Sequence, residues 1–394
     1  MWGRTCIPSK VYQVLHPLKR HFRCTQAQHF LVCCWLVVAL IRDPGKGTLK
    51  GLKPYLPPKL QYWTTLRMVR SGQWDAAAVV CQMAATTLRT LPPPADGVLY
   101  LIGDSTVKEK RGRKHPLGHT TRHCEHDPYT FGFEMVLLIA SWDRFRVPLA
   151  LAPLHPQCRG HQNILFRQML QDFVPPAWAR QIIVIADAGF AANATLRLIA
   201  EKNYGYVFAM PRTRKFTNGK HLRDLVQHLP KSCYHRRASY KPDGRRQDYW
   251  VFVRHASLHN LGDVTIVLSK KRRNTGPKHV KIIVTNLTGA TVGAILSIYA
   301  RRWGVELTIK ELKSGLHLGQ MQVTKEVERV ERSVALPMLA YLLLVRLYGH
   351  DEALTKEWSL FRLKERFTED VAQAHMQRSE LRWQRKLKQL KDVA

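Results

Sequence analysis

A chain of 394 residues has room for two or three domains of ~150 residues and for a sizeable core. Hydrophobic residues make up 45% and charged residues 23%, which excludes an intrinsically disordered or fibrous protein. Sixty-two Lys and Arg against 29 Asp and Glu leave a net charge of +33, which argues against an enzyme for small metabolites. A polyanion offsets such self-repulsion. Nucleic acid is the first candidate partner and an anionic membrane surface the second. The eight cysteines are too few for a disulfide scaffold, and none forms a Cys-x-x-Cys pair. They read as reduced thiols of a cytoplasmic protein. The apolar run Phe30 to Ile41 is short of the ~20 residues that span a bilayer, so no membrane is expected as a partner.

Residues 1–95 read as a helical, DNA-binding region. Thr25 caps a helix through the apolar run, and Asp43-Pro44-Gly45 stops it. Pro57-Pro58 precedes a second helical run, Leu60 to Val69, and Trp74 to Leu91 forms a third. Pro92-Pro93-Pro94 marks a boundary. From residue 96 the pattern turns to strands. Val98 to Ile102 is a short apolar run, and Phe133 to Ser141 pairs with Phe145 to Leu151 around Trp142-Asp143-Arg144. Asn163 to Phe173 is helical. Ile182 to Ala186 is the aliphatic run of a strand buried on both faces. Ala192 to Glu201 is a helix and Tyr204 to Ala209 a strand, which together give an α/β core with a mixed sheet over 96–209. Residues 210–287 break the alternation and form a β-rich insertion, with strands over Asp248 to Arg254, Asp263 to Ser269 and Val280 to Thr285. The core is completed over 288–350. Residues 351–394 are a basic helical region, whose last segment, Ser379 to Lys391, is exposed.

Asp104 follows the first apolar strand and Asp187 the buried one. A carboxylate at the carboxyl end of a strand points into the crevice where α/β proteins bind ligands. Two such groups suit divalent cations, which take hard oxygen ligands. Gly189 lets a substrate backbone approach Asp187. Each Asp taken alone is equally suited to capping the next helix or turn. Tyr299 to Lys313 reads as one helix, and an advance of ~100° per residue puts Tyr299, Arg302, Glu306 and Lys313 on one stripe. Standing alone, that stripe is a solvated face with an Arg302–Glu306 pair at i, i+4.

The spacing Tyr299, Arg302, Glu306, Lys313 resembles the signature of bacterial insertion-sequence transposases of the insertion-sequence-four type. These are DDE enzymes with a ribonuclease-H-like core. The Asp closing the first strand, the segment Asp187-Ala-Gly-Phe190 and a β-rich insertion before the Glu resemble the same family, over roughly residues 95–350. The resemblance implies that Asp104, Asp187 and Glu306 are catalytic and hold two Mg²⁺ (or Mn²⁺) ions. Such a pair activates the attacking oxygen and stabilises the leaving one. It implies that Arg302 and Lys313 bind phosphates beside the scissile bond, with Tyr299 offering a hydroxyl and a packing ring. It implies cut-and-paste transposition: cleavage at the element's ends, then 3′-OH strand transfer into target DNA, by a homodimer that pairs two ends. Such an enzyme works in the cytoplasm on the nucleoid.

Three further features bear on DNA. The loop Lys108 to Arg122 holds Lys108, Lys110, Arg111, Arg113, Lys114 and Arg122, suited to gripping a strand near the cut. The insertion interleaves basic and aromatic residues, from Tyr234-His-Arg-Arg237 to Tyr249-Trp250 and Lys270-Lys-Arg-Arg273, as a stacking and phosphate-binding surface does. In the resembled family an aromatic of the insertion receives a flipped base, and Trp250 is the candidate here. The cluster His119, His123, Cys124, His126 matches no common structural zinc spacing. The competing reading is a non-enzymatic DNA-binding protein or an inactive transposase remnant. Charge fits that reading equally, but a pure binder gains nothing from three carboxylates facing phosphates.

Overall fold

The computed structural model describes residues 8–23, 27–110, 114–121, 129–155, 162–240, 244–321, 326–356 and 358–391. In chain order come α1 (Ser9–Leu15), α2 (Ala27–Arg42), α3 (Tyr62–Ser71) and α4 (Ala76–Thr90). Then follow β1 (Val98–Glu109), β2 (His119–Thr121), β3 (Thr130–Trp142), β4 (Phe145–Pro153), α5 (Gln162–Asp172), β5 (Gln181–Ala186), α6 (Asn193–Glu201) and β6 (Gly205–Ala209). Next are α7 (Leu222–His228), β7 (His235–Tyr240), β8 (Arg246–Leu258), β9 (Gly262–Lys270) and β10 (Lys281–Thr285). Helices α8 (Val292–Ala300) and α9 (Trp303–Lys310) lead into a π-helical turn, Glu311–Gly315. The chain closes with α10 (Val327–Tyr348), α11 (Glu352–Thr355) and α12 (Leu360–Lys391). Two compact units result: one of residues 92–309, the other of residues 1–91 with 310–394.

The unit of residues 92–309 is built on one mixed sheet, which has ten strands among the described residues. At its centre β1, β5 and β6 run parallel, because α5 and α6 supply the crossovers that parallel strands need. β1 also pairs antiparallel with β3, and β3 with β4 across the turn at Asp143, whose φ is 41°. The insertion strands extend this same sheet: β10 joins β6, and β9, β8 and β7 follow as an antiparallel meander.

Two expectations need correction. Asp104 does not close its strand. The ladder with β3 continues through Asp104–Leu137 to Glu109–Gly132, so Asp104 lies in mid-strand. The β-forming Thr106 and Val107 sustain β1 beyond the point where its other neighbour, β5, ends at Ala186. The segment Tyr299 to Lys313 is not one helix. α8 ends at Ala300, and tight i→i+3 bonds (Arg301 N–H to Ile298, Arg302 N–H to Tyr299) turn the chain before α9 starts. Gly304 weakens helical continuity there, and Arg302 is drawn instead towards an acid on the sheet.

The other unit is helical. α10 is its axis, with Leu336 to Val345 buried without a break, and α2, α3, α4 and α12 pack around it. An apolar run on every face is what a helix surrounded by others requires. Asp75 caps α4 by accepting the Ala78 N–H at 2.9 Å, and Asp43 ends α2 by accepting the N–H groups of Gly45 and Gly47, each at 2.8 Å. The expected cap Thr25 lies outside the described residues.

Candidate active site

The register of the sheet aligns the two aspartates. Gly103 pairs with Ala186 across β1 and β5, so Asp104 and Asp187 lie side by side where β5 gives way to a loop. Gly103 is required there: a Cβ would come 2.1 Å from the Phe166 ring of α5. Phe166 in turn packs on Phe190, with ring centroids 4.9 Å apart. One aromatic pair thus anchors both Asp-bearing segments. The turn Asp187-Ala-Gly-Phe190 is fixed further by Asn163 and Gln162, which donate to the Gly189 carbonyl at 2.7 and 3.3 Å. At Gly189 a Cβ would meet only the end of the Gln162 side chain, at 2.9 Å.

Arg302 joins the sheet to α9. Its guanidinium donates to Asp104 Oδ2 at 3.2 Å and also to Glu306 on the first turn of α9. The Arg302 and Asp104 side chains are only 16% and 19% exposed, so this ion pair is poorly screened. Burial pushes Asp104 up to about 6; Arg302 and the Ser105 N–H oppose that, while Glu306 and Asp187 add to it. Burial lowers Arg302, but Tyr299, Glu306, Asp104 and Asp187 outweigh it and the guanidinium is held charged. Tyr299, buried at the end of α8, is raised by desolvation and then by Asp187, so its hydroxyl stays protonated. Asp187 is exposed and accepts the Ala188 N–H at 2.7 Å.

Lys281 is a member of this site that sequence reasoning missed. Its Nζ donates to the Tyr299 hydroxyl at 3.5 Å, and its own proton affinity is lowered by burial and Arg302 while Asp187 and Glu306 raise it. In a chain with 62 Lys and Arg, a single Lys opening a strand carries no distinguishing spacing.

Asp104, Asp187, Glu306, Arg302 and Tyr299 therefore form one electrostatically coupled group. Lys313 falls in the π-helical turn of the helical unit. Lys108 lies on β1 beyond Asp104, on the same side of the strand by alternation, and Lys110 follows just past the strand's end, its N–H donating to the Phe131 carbonyl at 2.9 Å. Lys110 sits 5.5 Å from the Phe133 ring centroid, and burial followed by the Lys108 charge lowers it to about 8. Trp250 is half-buried in β8, opposite Arg236 on one side and Lys270 on the other, with the Arg273 guanidinium 5.2 Å from its ring centroid. Arg111, and His123, Cys124 and His126 of the histidine cluster, lie outside the described residues.

Among the described residues no group of three or more His, Cys, Asp or Glu is arranged to hold a metal ion. The guanidinium bridging Asp104 and Glu306 accounts for this at the acids. The donor set nonetheless fits a hard divalent cation. All three groups are carboxylates, and Asp104, raised first by burial, also feels the charges of the other two.

A parallel β1–β5–β6 core flanked by the antiparallel β3 and β4, with acids aligned on adjacent strands and a third on a following helix, defines a ribonuclease-H-like fold. The profile of the Transposase DDE domain family matches residues 101–343, and the chain belongs to that family. Among solved structures, the piggyBac transposase in a synaptic complex with hairpin DNA is similar in fold. Its TM-score is 0.51 at 10% identity, over 96% of this chain and 80% of that one. No curated protein matches the chain by sequence. No helix among the described residues is long and apolar enough to cross a membrane.

Proposed function

We propose that this DDE transposase carries out cut-and-paste transposition of an insertion sequence of the insertion-sequence-four type, with Asp104, Asp187 and Glu306 as its catalytic acids. One observation carries the reading: Arg302 binds Asp104 on β1 and Glu306 on α9, beside Asp187. Acids this distant in sequence that gather beside one another, with the proton affinity of one raised by burial and by the other two, mark a functional site. Two Mg²⁺ or Mn²⁺ ions held by the three carboxylates would supply the charge that activates an attacking oxygen and stabilises a leaving one.

The chain's own residues do the rest. Arg302, whose fork here is spent on Asp104 and Glu306, would turn it to a non-bridging phosphate oxygen once those acids hold cations, and Lys281 and Tyr299 add donors on the same side. Lys108 and Lys110 hold the strand beyond the cut. In cleavage, a water oxygen bonds to phosphorus as the bond to the 3′ oxygen breaks, leaving a free 3′-OH. In strand transfer that 3′ oxygen attacks a target phosphorus and the target's own 3′ oxygen leaves. Residues 1–95 supply DNA binding: α3 exposes Trp63, Arg67 and Arg70 at i, i+4 and i+7, a stacking ring beside two phosphate ligands. Trp250 and the basic strands around it take the DNA near the element's end, and two copies pair two ends. The enzyme works in the cytoplasm on the nucleoid.

The test is cleavage of a duplex carrying the element's own terminal repeat. The wild-type chain should nick it in Mg²⁺ or Mn²⁺. Asp104→Ala, Asp187→Ala and Glu306→Ala should each lose cleavage by about 10³-fold, since removing a metal ligand forfeits several kcal/mol of transition-state stabilisation. Binding should be kept. A wild-type chain that binds the repeat but leaves every phosphodiester intact in both metals is a DNA-binding protein or an inactive remnant.

A further inference from the structure

Helix α12 divides into two parts with different surroundings. Leu360, Leu363 and Phe367 are buried against the helical unit, Lys364 donates to the Asp43 carbonyl at 3.4 Å and also to that of Gly315, and Asp370 accepts the Tyr348 hydroxyl at 2.9 Å. From Ala372 to Arg385 no residue is buried, and most are exposed on every side of the helix. The part after Asp370 runs ~30 Å at ~1.5 Å per residue. With no residue from Ala372 to Arg385 buried on the unit, the order of this part rests on propagation from the packed first part, and a partner would add to it.

The side chains specify the partner. Beyond Asp370 the helix carries Arg378, Arg382, Arg385, Lys386, Lys388 and Lys391 against a single acid, Glu380. Arg378, Arg382 and Arg385 recur at i, i+4 and i+7, within ~60° of one another around the axis, and Arg382 and Arg385 are exposed. The opposite face bears Met376 and Trp383, 65% and 63% exposed, but Glu380 stands between them. That acid interrupts the apolar stripe that a bilayer surface or a paired helix needs. A second copy would also set one strongly basic helix against another. Trp383, Leu387 and Leu390 repeat the spacing of the arginine row, so it is the charge, six bases against one acid, that favours a polyanion.

We propose that the distal part of α12 is a duplex-DNA docking helix, its Arg378–Arg382–Arg385 row set against backbone phosphates flanking a groove. A major groove ~12 Å wide admits an α-helix, and arginine forks match phosphate oxygens. This rests on the reading that the chain acts on DNA, and it adds a contact surface in the helical unit.

The experiment uses the full chain, the triple variant R378Q/R382Q/R385Q and the double variant M376A/W383A, all checked for an unchanged melting temperature. Affinity for a random-sequence duplex is measured across a salt series. The triple variant should bind at least about tenfold more weakly at physiological salt, with the slope of log affinity against log salt reduced by about 2–3. Far-ultraviolet ellipticity should show helix gained on adding duplex to the wild type and not to the triple variant. The double variant should match the wild type in both. An unchanged slope in the triple variant overturns the proposal while leaving the transposase reading intact. Two other outcomes also overturn it: the double variant alone changing the sedimentation coefficient, which assigns the helix to a second copy, or the triple variant losing only binding to phosphatidylserine vesicles. A wild-type chain that binds no duplex removes both the proposal and the reading beneath it.

Discussion

Asp104 on β1 and Asp187 just past the end of β5 sit side by side, yet they occupy different surroundings. Asp104 is enclosed in mid-strand, held by Arg302 and raised towards neutrality. Asp187 is exposed at a strand end, where it caps a short turn. A sheet places residues in rows by register, but the length of each strand decides how much water reaches them. β5 stops at Ala186 and β1 does not. One acid of the pair is therefore tied to the protein's own cation, and the other stands open to a substrate or metal.

The comparison breaks most visibly at Arg302, which hydrogen-bonds Asp104. Arg302→Ala should slow end cleavage about 10–100-fold, since a charge-assisted contact to a scissile phosphate contributes ~1.5–3 kcal/mol. Affinity for random duplex should hardly change, because most of the +33 charge lies elsewhere. Equal losses in gel-shift and single-turnover assays would make Arg302 an ordinary backbone contact.

The enclosed acid also has a pH signature. In metal-free buffer Asp104 takes up its proton at about pH 6 in the folded chain and near 4 when unfolded. Between those values the native state binds the extra proton, so stability falls as pH rises through the window. A neutral isostere escapes the penalty. Asp104→Asn should therefore be more stable than wild type at pH 7, by about 2–3 kcal/mol, with the gain vanishing by about pH 4. Denaturant titrations with EDTA at pH 4, 5.5 and 7 check this. A gain that is the same at all three pH values would mean that Asp104 is not the group responsible.

Much of this arrangement is legible in the sequence. Asp, Arg and Glu are chemically distinctive, and the spacing of Tyr299, Arg302 and Glu306 is a local signal that survives even though the helix carrying it breaks. The break itself is not legible, because apolar periodicity continues across Arg301-Arg302 and nothing local reports the pull of an acid on β1. Continuation of the core sheet by β10 to β7 is hidden for a related reason: strand patterns show that strands exist, not which edge they join. Lys281 is lost among many lysines. Gly103 reads as an ordinary strand glycine until α5 brings Phe166 onto it, a contact made across the fold.

Gly103→Ala tests that last contact. A Cβ placed 2.1 Å from an aromatic carbon forces Phe166 away from Phe190 and both Asp segments. Overpacking of this kind costs about 1–3 kcal/mol, read as a lower denaturant midpoint with unchanged slope. Cleavage should fall as well, since both acids lose their common anchor. Full activity at full stability would show that the aromatic pair does not position them.

The smallest effect belongs to the open side. Gly189→Ala puts its methyl against the far end of Gln162 alone, at 2.9 Å, and that side chain can swing away at the loss of one 3.3 Å hydrogen bond to the Gly189 carbonyl. Asn163 keeps its own bond to the same oxygen, so the turn retains its hold. The stability change should stay within about 0.5 kcal/mol, the range of an ordinary surface substitution. If an incoming phosphodiester backbone passes close to Asp187, as the exposure of that turn suggests, the same methyl meets the substrate instead of the protein. Gly189→Ala should then raise the KM for the element's end several-fold with kcat and melting temperature nearly unchanged, opposite to Gly103→Ala, which lowers stability first. A fall in stability as large as that of Gly103→Ala would mean that the turn at Asp187 is as tightly enclosed as the strand at Asp104, and the contrast between the two acids would be lost.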